Sequence, residues 1–257
     1  MSTNHPQPHS DEFYTGYGPI PPGYRRFLLF LIPALINGAL LLAIILPQVH
    51  FDQFHAGTSN PKIPLEGLLI TEPAPHLLVP QEGTPESRPA PSVYLLSGPG
   101  KTAPSPAVLK QAGQWVKLAG VPFVRNNLTV VATRGAEPSQ PPAGSPTQPP
   151  PMTSLGQFTL TGEIVDGKCY PGIMKPGRTK THRACAVRCI TGGVPPVFLV
   201  QKPTGEALYF LLADQEGKAV RDRILGLIAD PIQITGEVMQ YGDSLVLKAD
   251  PTTYELL

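Results

Sequence analysis

Between Phe27 and Leu46 the chain reads FLLFLIPALINGALLLAIIL, with no charged side chain. A helix of about 20 such residues is long enough to cross a hydrocarbon layer of about 30 Å. Pro33 and Asn37 are tolerable within a span of this kind. Arg25 and Arg26 abut its N-terminal end, whereas the other flank, VHFDQFHAGTSN, carries no Lys or Arg before Lys62. Positive charge marks the cytoplasmic flank. Residues 1–26 are therefore expected as a cytoplasmic tail, 27–46 as a transmembrane helix, and everything beyond a 47–62 linker on the far side of the membrane. A cleaved signal peptide is the competing reading. Against it, the apolar stretch exceeds the usual core of about 7 to 15 residues and no A-x-A site follows.

The whole chain has 33 prolines and 25 glycines, too many for one compact α/β unit, so it is expected to be divided by linkers. Proline enforces a break at Gly135–Ser154, GAEPSQPPAGSPTQPPPMTS, because X-Pro steps exclude helix and little between them can be buried. The segments on either side, 63–134 and 155–257, read as a diverged repeat. LEGLLIT (65–71) answers to LTGEIVD (160–166), SVYLLSGPGK (92–101) to ALYFLLADQEGK (207–218), and GQWVKLAGVPFVRNNLTVVAT (113–133) to DPIQITGEVMQYGDSLVLKAD (230–250). The outer blocks alternate apolar and polar positions as half-buried strands do. Asn126-Asn127 and Gly242-Asp243 suit hairpin turns. A short helical stretch precedes each last block, PAVLKQAG in one copy and VRDRILGLIA in the other.

Strand, strand, strand, helix, hairpin in about 70 residues describes a small barrel of the OB type. The expected architecture is thus mainly β: one N-terminal transmembrane helix followed by two tandem OB-like barrels. The strand count alone also permits a generic β-sandwich. Trp115, Tyr94 and Tyr209 fall on strands and are expected in the core. The net charge is +1, and no basic run is interleaved with aromatics, so no nucleic-acid partner is expected.

The second copy carries an insertion at 166–196, DGKCYPGIMKPGRTKTHRACAVRCITGGVPP, that the first lacks, and it holds all three cysteines of the chain. On a helix, His182, Cys185 and Cys189 fall within about 60° of one face. Thr179 or Thr181 can cap that helix, Gly192-Gly193 and Pro195-Pro196 end it, and the loop before it can return Cys169 over the face. Three readings follow. Cys169, His182, Cys185 and Cys189 make a Cys3His donor set suited to zinc or Cu(I), with Met174 a further soft ligand for copper. Alternatively, Cys169 bonds Cys185 or Cys189 as a staple in an oxidising compartment, leaving one free thiol in a non-catalytic interaction module. Thirdly, a cysteine beside His182 works as a redox or nucleophilic thiol assisted by Arg183 or Arg188, although the sequence offers it no acidic orienting partner. No catalytic constellation is legible outside the insertion. His50, His55 and His76 are isolated and read as solvated or interfacial.

The string G-E-I-V-D-x-K-C-Y, then M-x-P-G, H-R-A-C-A-x-x-C-I and G-G-x-P-P resembles a family of exported or membrane-anchored bacterial proteins with a C-Y…H-x-x-C-A-x-x-C core on an OB-like domain. It covers Leu160 to about Asp250, and Cys169, Tyr170, His182, Cys185 and Cys189 fit its pattern. The resemblance implies an inner-membrane anchor with the barrels in the periplasm, and it implies no activity. The expectation is a single-pass, membrane-tethered, non-enzymatic protein holding copper or zinc in its distal barrel. It would serve metal handling or act beside a membrane-protein partner in a redox complex.

Overall fold

The computed structural model describes residues 20–53, 57–81, 90–142, 145, 147–172, 174–202 and 206–257. The expected tail up to residue 19, His55, and part of each linker lie outside the described residues. The helix and the β-structure form two compact units.

Helix α1, Pro22–Gln53, begins and ends beyond the apolar run. Its stretch Pro22–Val49 is long and apolar enough to cross a membrane. Pro33 lacks the N–H that would bond one turn back. Asn37 Nδ2 donates to the Pro33 carbonyl at 2.7 Å, satisfying the polar side chain within its own helix. Large apolar side chains, Phe30 among them, are exposed along the helix.

The first barrel comprises β2 (Ile63–Ile70), β3 (His76–Val79), β4 (Ser92–Ser97), β5 (Trp115–Arg125) and β6 (Leu128–Pro138), with the short β1 (Thr58–Ser59) added outside β5. The sheet closes in the order β2-β3-β4-β6-β5 and back to β2, with β4 and β6 the parallel pair. Between β4 and β5 sits α2, Pro106–Leu109, opened by Ser105, whose hydroxyl accepts from the Val108 amide. The second barrel repeats this topology. Strands β7 (Thr153–Asp166), β8 (Pro196–Gln201), β9 (Ala207–Ala213), β10 (Pro231–Tyr241) and β11 (Ser244–Lys248) close in the order β7-β8-β9-β11-β10, β9 and β11 run parallel, and β12 (Glu255–Leu256) joins β10. Two closed five-stranded barrels in tandem are what the repeat predicts. Asn126 and Gly242, at φ 53° and 57°, occupy the left-handed positions of the two hairpin turns.

One expected helix takes a different form. VRDRILGLIA folds as two 3-10 turns, Arg221–Arg223 and Leu225–Leu227. Ile224 and Ile228 are both drawn fully into the core, and Gly226 gives a helix little support.

Each barrel has its own core, yet the third apolar cluster belongs to both. Leu68, Leu95, Trp115 and Val130 of the first barrel meet Val197, Leu199, Tyr209 and Leu211 of the second. The strands involved are buried on two faces. In β8, Val197 and Leu199 face the shared cluster while Phe198 faces the barrel's own core. In β4, Val93 and Leu95 face the shared cluster and Leu96 the first core. Polar contacts stitch the same junction: the Val93 amide donates to Asp243 at 2.8 Å, Asn126 Nδ2 to the Tyr209 hydroxyl at 3.1 Å, and the Tyr241 hydroxyl to His76 Nε2 at 3.0 Å. The proline-rich stretch therefore joins two barrels that share an apolar interface.

Candidate metal centre

The insertion leaves the second barrel at the end of β7, where Asp166 organises the turn. Asp166 is fully buried, and its Oδ1 accepts from the amides of Lys168 (3.2 Å) and Cys169 (2.6 Å). This Asx-type turn fixes the direction of the Cys169 side chain. The next residue, Tyr170, is also fully buried and anchors the insertion in the shared cluster. Its ring lies under the Arg125 guanidinium at 4.1 Å, and its carbonyl accepts from Arg125 at 3.2 Å.

Helix α3, Arg183–Thr191, supplies the other two cysteines. Ala186 and Ile190, four residues apart on one stripe, face the second barrel's core, with Val187 half-buried beside them. That leaves Cys185 and Cys189 on a neighbouring stripe, aimed at Cys169. The residue opening the helix is His182, not Thr179 or Thr181, and no side chain caps it. The physical reason is that the imidazole is engaged elsewhere: its Nε2 is 3.1 Å from Asp166 Oδ2, with His182 only 5 % exposed. Thr179, at φ 64°, instead donates its amide to Glu163.

The Cys169 sulfur lies 3.9 Å from that of Cys185 and 3.7 Å from that of Cys189, and all three thiols are free. No sulfur–sulfur bond joins any two of them in this structure. Sulfurs at the corners of a tetrahedron about a metal with bonds of about 2.3 Å stand about 3.8 Å apart, which is the spacing of Cys169 from each of the other two. Cys189 is fully buried, whereas Cys169 and Cys185 are partly accessible. The donor atoms fall into two overlapping groups, each within 4.8 Å: the three sulfurs, and Asp166, Cys169 and His182. Cys169 belongs to both. The structure thus brings the three cysteines together, while His182 groups with Cys169 and Asp166 and not with Cys185 and Cys189.

Asp166 is the acidic partner that sequence reasoning did not find. Arg183 is not a thiol partner: it bonds Asp230 at 2.5 Å and the Gly226 carbonyl at 2.8 Å. The cation that does reach a thiol comes from the first barrel, where Lys101 Nζ donates to Cys185 Sγ at 2.9 Å. Met174 stands 42 % exposed on the loop. His76 is buried between the barrels, and the side chain of His50, like His55, lies outside what is described.

The electrostatics of the cluster follow from its burial and from how close its groups stand to one another. The Cys189 hydrogen bond and burial push the Cys169 thiol far above its ordinary range. Burial also raises Cys185, and Lys101 opposes that rise. The Asp166 hydrogen bond, with a smaller contribution from Cys169, raises His182 to about 9. Thiols this close suppress one another's ionisation, and a bound metal ion removes that obstacle by supplying the positive charge itself. Comparison with protein-family models, curated proteins and solved structures finds no match for this chain.

Proposed function

We propose that this chain is a membrane-anchored periplasmic protein that binds copper or zinc through Cys169, Cys185 and Cys189, with His182 as fourth donor. One observation carries the reading: three unbonded sulfurs, drawn from a loop and a helix, lie within 4.8 Å of one another, with Cys169 at thiolate-like spacing from each of the other two. Soft thiolate and imidazole donors suit Cu(I) and zinc alike. Asp166 holds the His182 ring as carboxylates hold metal-ligating histidines. The arginine pair before the apolar helix supports an N-in anchor, and so a role in metal handling or beside a redox complex of the same membrane.

A thiol-enzyme reading takes its support from the Asp166–His182–Cys169 arrangement. It is the weaker one, because a nucleophile needs its thiol ionised and the surroundings of Cys169 disfavour that. Elemental analysis of the full-length chain, purified in detergent without chelators, tests the assignment. Stoichiometric copper or zinc is expected, and Cys185→Ser is expected to lose it. Wild type and variant both metal-free overturn it; a single titratable thiol under denaturing, non-reducing conditions would then assign the disulfide-stapled interaction module.

A further inference from the structure

The thiol cluster sits on the second barrel, but the first barrel closes it. The loop that follows β4, Gly98 to Ala103, lies against both chain segments that carry the cysteines. Lys168, next to Cys169, donates through Nζ to the carbonyls of Gly98 (2.6 Å) and Gly100 (2.7 Å). Beyond the end of α3, the Gly192 carbonyl accepts from the Ala103 amide at 2.7 Å. Contact there is so close that a Cβ on Gly192 would collide with the Lys101 carbonyl. The backbone of the loop is therefore pinned on both sides of the site. Gly100, at φ 65°, makes the turn that presents the next residue, Lys101, toward the thiols.

A pinned backbone and a long, exposed side chain are combined at Lys101. The residue is exposed along its stem, yet its ammonium ends 2.9 Å from the sulfur of Cys185. Cys185 is the half-buried cysteine of α3, whereas Cys189 is sealed. A long exposed lysine adopts many rotamers at little cost, so the contact is easily made and broken. An ammonium donating to a thiolate also stabilises the anionic charge that three thiolates leave on a zinc or copper complex.

We infer that Lys101 is a gate lent by the first barrel: it caps Cys185, retains the ion held by the cluster, and must swing away for metal to pass to or from an acceptor through that sulfur. This rests on the metal-binding reading above. No bond other than metal–donor bonds changes in the step; the ammonium leaves the thiolate, an incoming donor takes the ion, and Lys101 then returns to the bare sulfur.

The test is transfer of Zn²⁺, and separately of Cu⁺, from the loaded full-length chain in detergent to an excess of chromogenic chelator, followed by rapid mixing. Groups that support metal ligands typically contribute about 10- to 100-fold to retention, and Lys101→Met is expected to accelerate transfer by that order. Lys101→Arg, which keeps charge and donors, should stay close to wild type. Asn126→Gly, which removes a cross-barrel hydrogen bond to Tyr209 but leaves Lys101 and the cysteines in place, should leave the rate unchanged and so separates gating from a loosened interface. A wild type that takes up neither ion overturns the metal-binding reading and the gate with it. A wild type that retains metal while Lys101→Met releases it at the same rate overturns the gate alone, as does acceleration shared equally by Asn126→Gly.

Discussion

The two barrels differ most at one connection. In the first, β2 passes to β3 through Thr71–Pro75; in the second, β7 passes to β8 through Gly167–Pro195, which carries α3 and all the cysteines. The strand order is the same, so closure of the barrel does not by itself require the long connection. In the second barrel, however, that connection has become part of the core. Ile190 and Ala186 pack into it, and Tyr170 fills the shared interface. The cysteine cluster lies in one copy of the fold, and a loop of the other copy packs against it.

The comparison breaks most severely at Cys169, the residue common to both donor groups. Cys169→Ser should abolish stoichiometric metal, read by elemental analysis, while circular dichroism still reports both barrels. Retention of metal by this variant would mean that the loop of the second barrel is not where the chemistry lies. Next in size is Ile190→Ala. Removing a fully buried branched side chain typically costs about 2 to 5 kcal/mol. The urea midpoint should fall accordingly, and a negligible change would show that α3 is an appendage rather than a part of the core.

Much of the architecture was legible because alternation in the outer blocks and turn residues at the hairpins act locally. The cysteines of α3 were legible for the same reason: a helical period places Cys185 and Cys189 together whatever lies around them. Asp166 escaped because its approach to His182 runs through a proline- and glycine-rich loop whose path has no period. Lys101 escaped because it is 84 residues from Cys185 and in the other barrel. One signal was present and unused. SVYLLS and ALYFLLA are nearly continuous apolar runs, as strands buried on both faces require, and they are the strands that meet across the junction. The 3-10 form of VRDRILGLIA followed from burial of Ile224 and Ile228, which depends on the closed barrel around them.

A smaller, pH-dependent effect separates the junction from the thiol cluster. His76 is fully buried in the first barrel, with Nδ1 2.7 Å from the Ala74 carbonyl and Nε2 accepting from Tyr241 of the second. Desolvation lowers its pKa from 6.5 to about 4. The unfolded chain takes up the proton near pH 6.5, and the folded chain only near pH 4. The stability that its neutral form contributes is therefore complete above pH 6.5, falls as pH drops from there, and is fully lost by about pH 4, a loss of about 3 kcal/mol. His76→Gln should flatten that part of the stability profile in denaturant titrations. An unchanged profile would place the acid sensitivity elsewhere.

The smallest effect concerns the hairpin of the first barrel that touches the second. Asn126 holds a left-handed backbone and donates to the Tyr209 hydroxyl, so it serves its own turn and the junction at once. Asn126→Gly keeps the turn and removes only the cross-barrel bond, which should cost about 1 kcal/mol. Asn126→Ala loses the bond and forces a Cβ into the left-handed region, adding about 1 kcal/mol. If the two variants prove equal in denaturant titrations, turn strain is absent and the hydrogen bond carries the whole effect. If glycine is neutral, the junction rests on its apolar cluster, and Asn126 serves only the left-handed turn of its own hairpin.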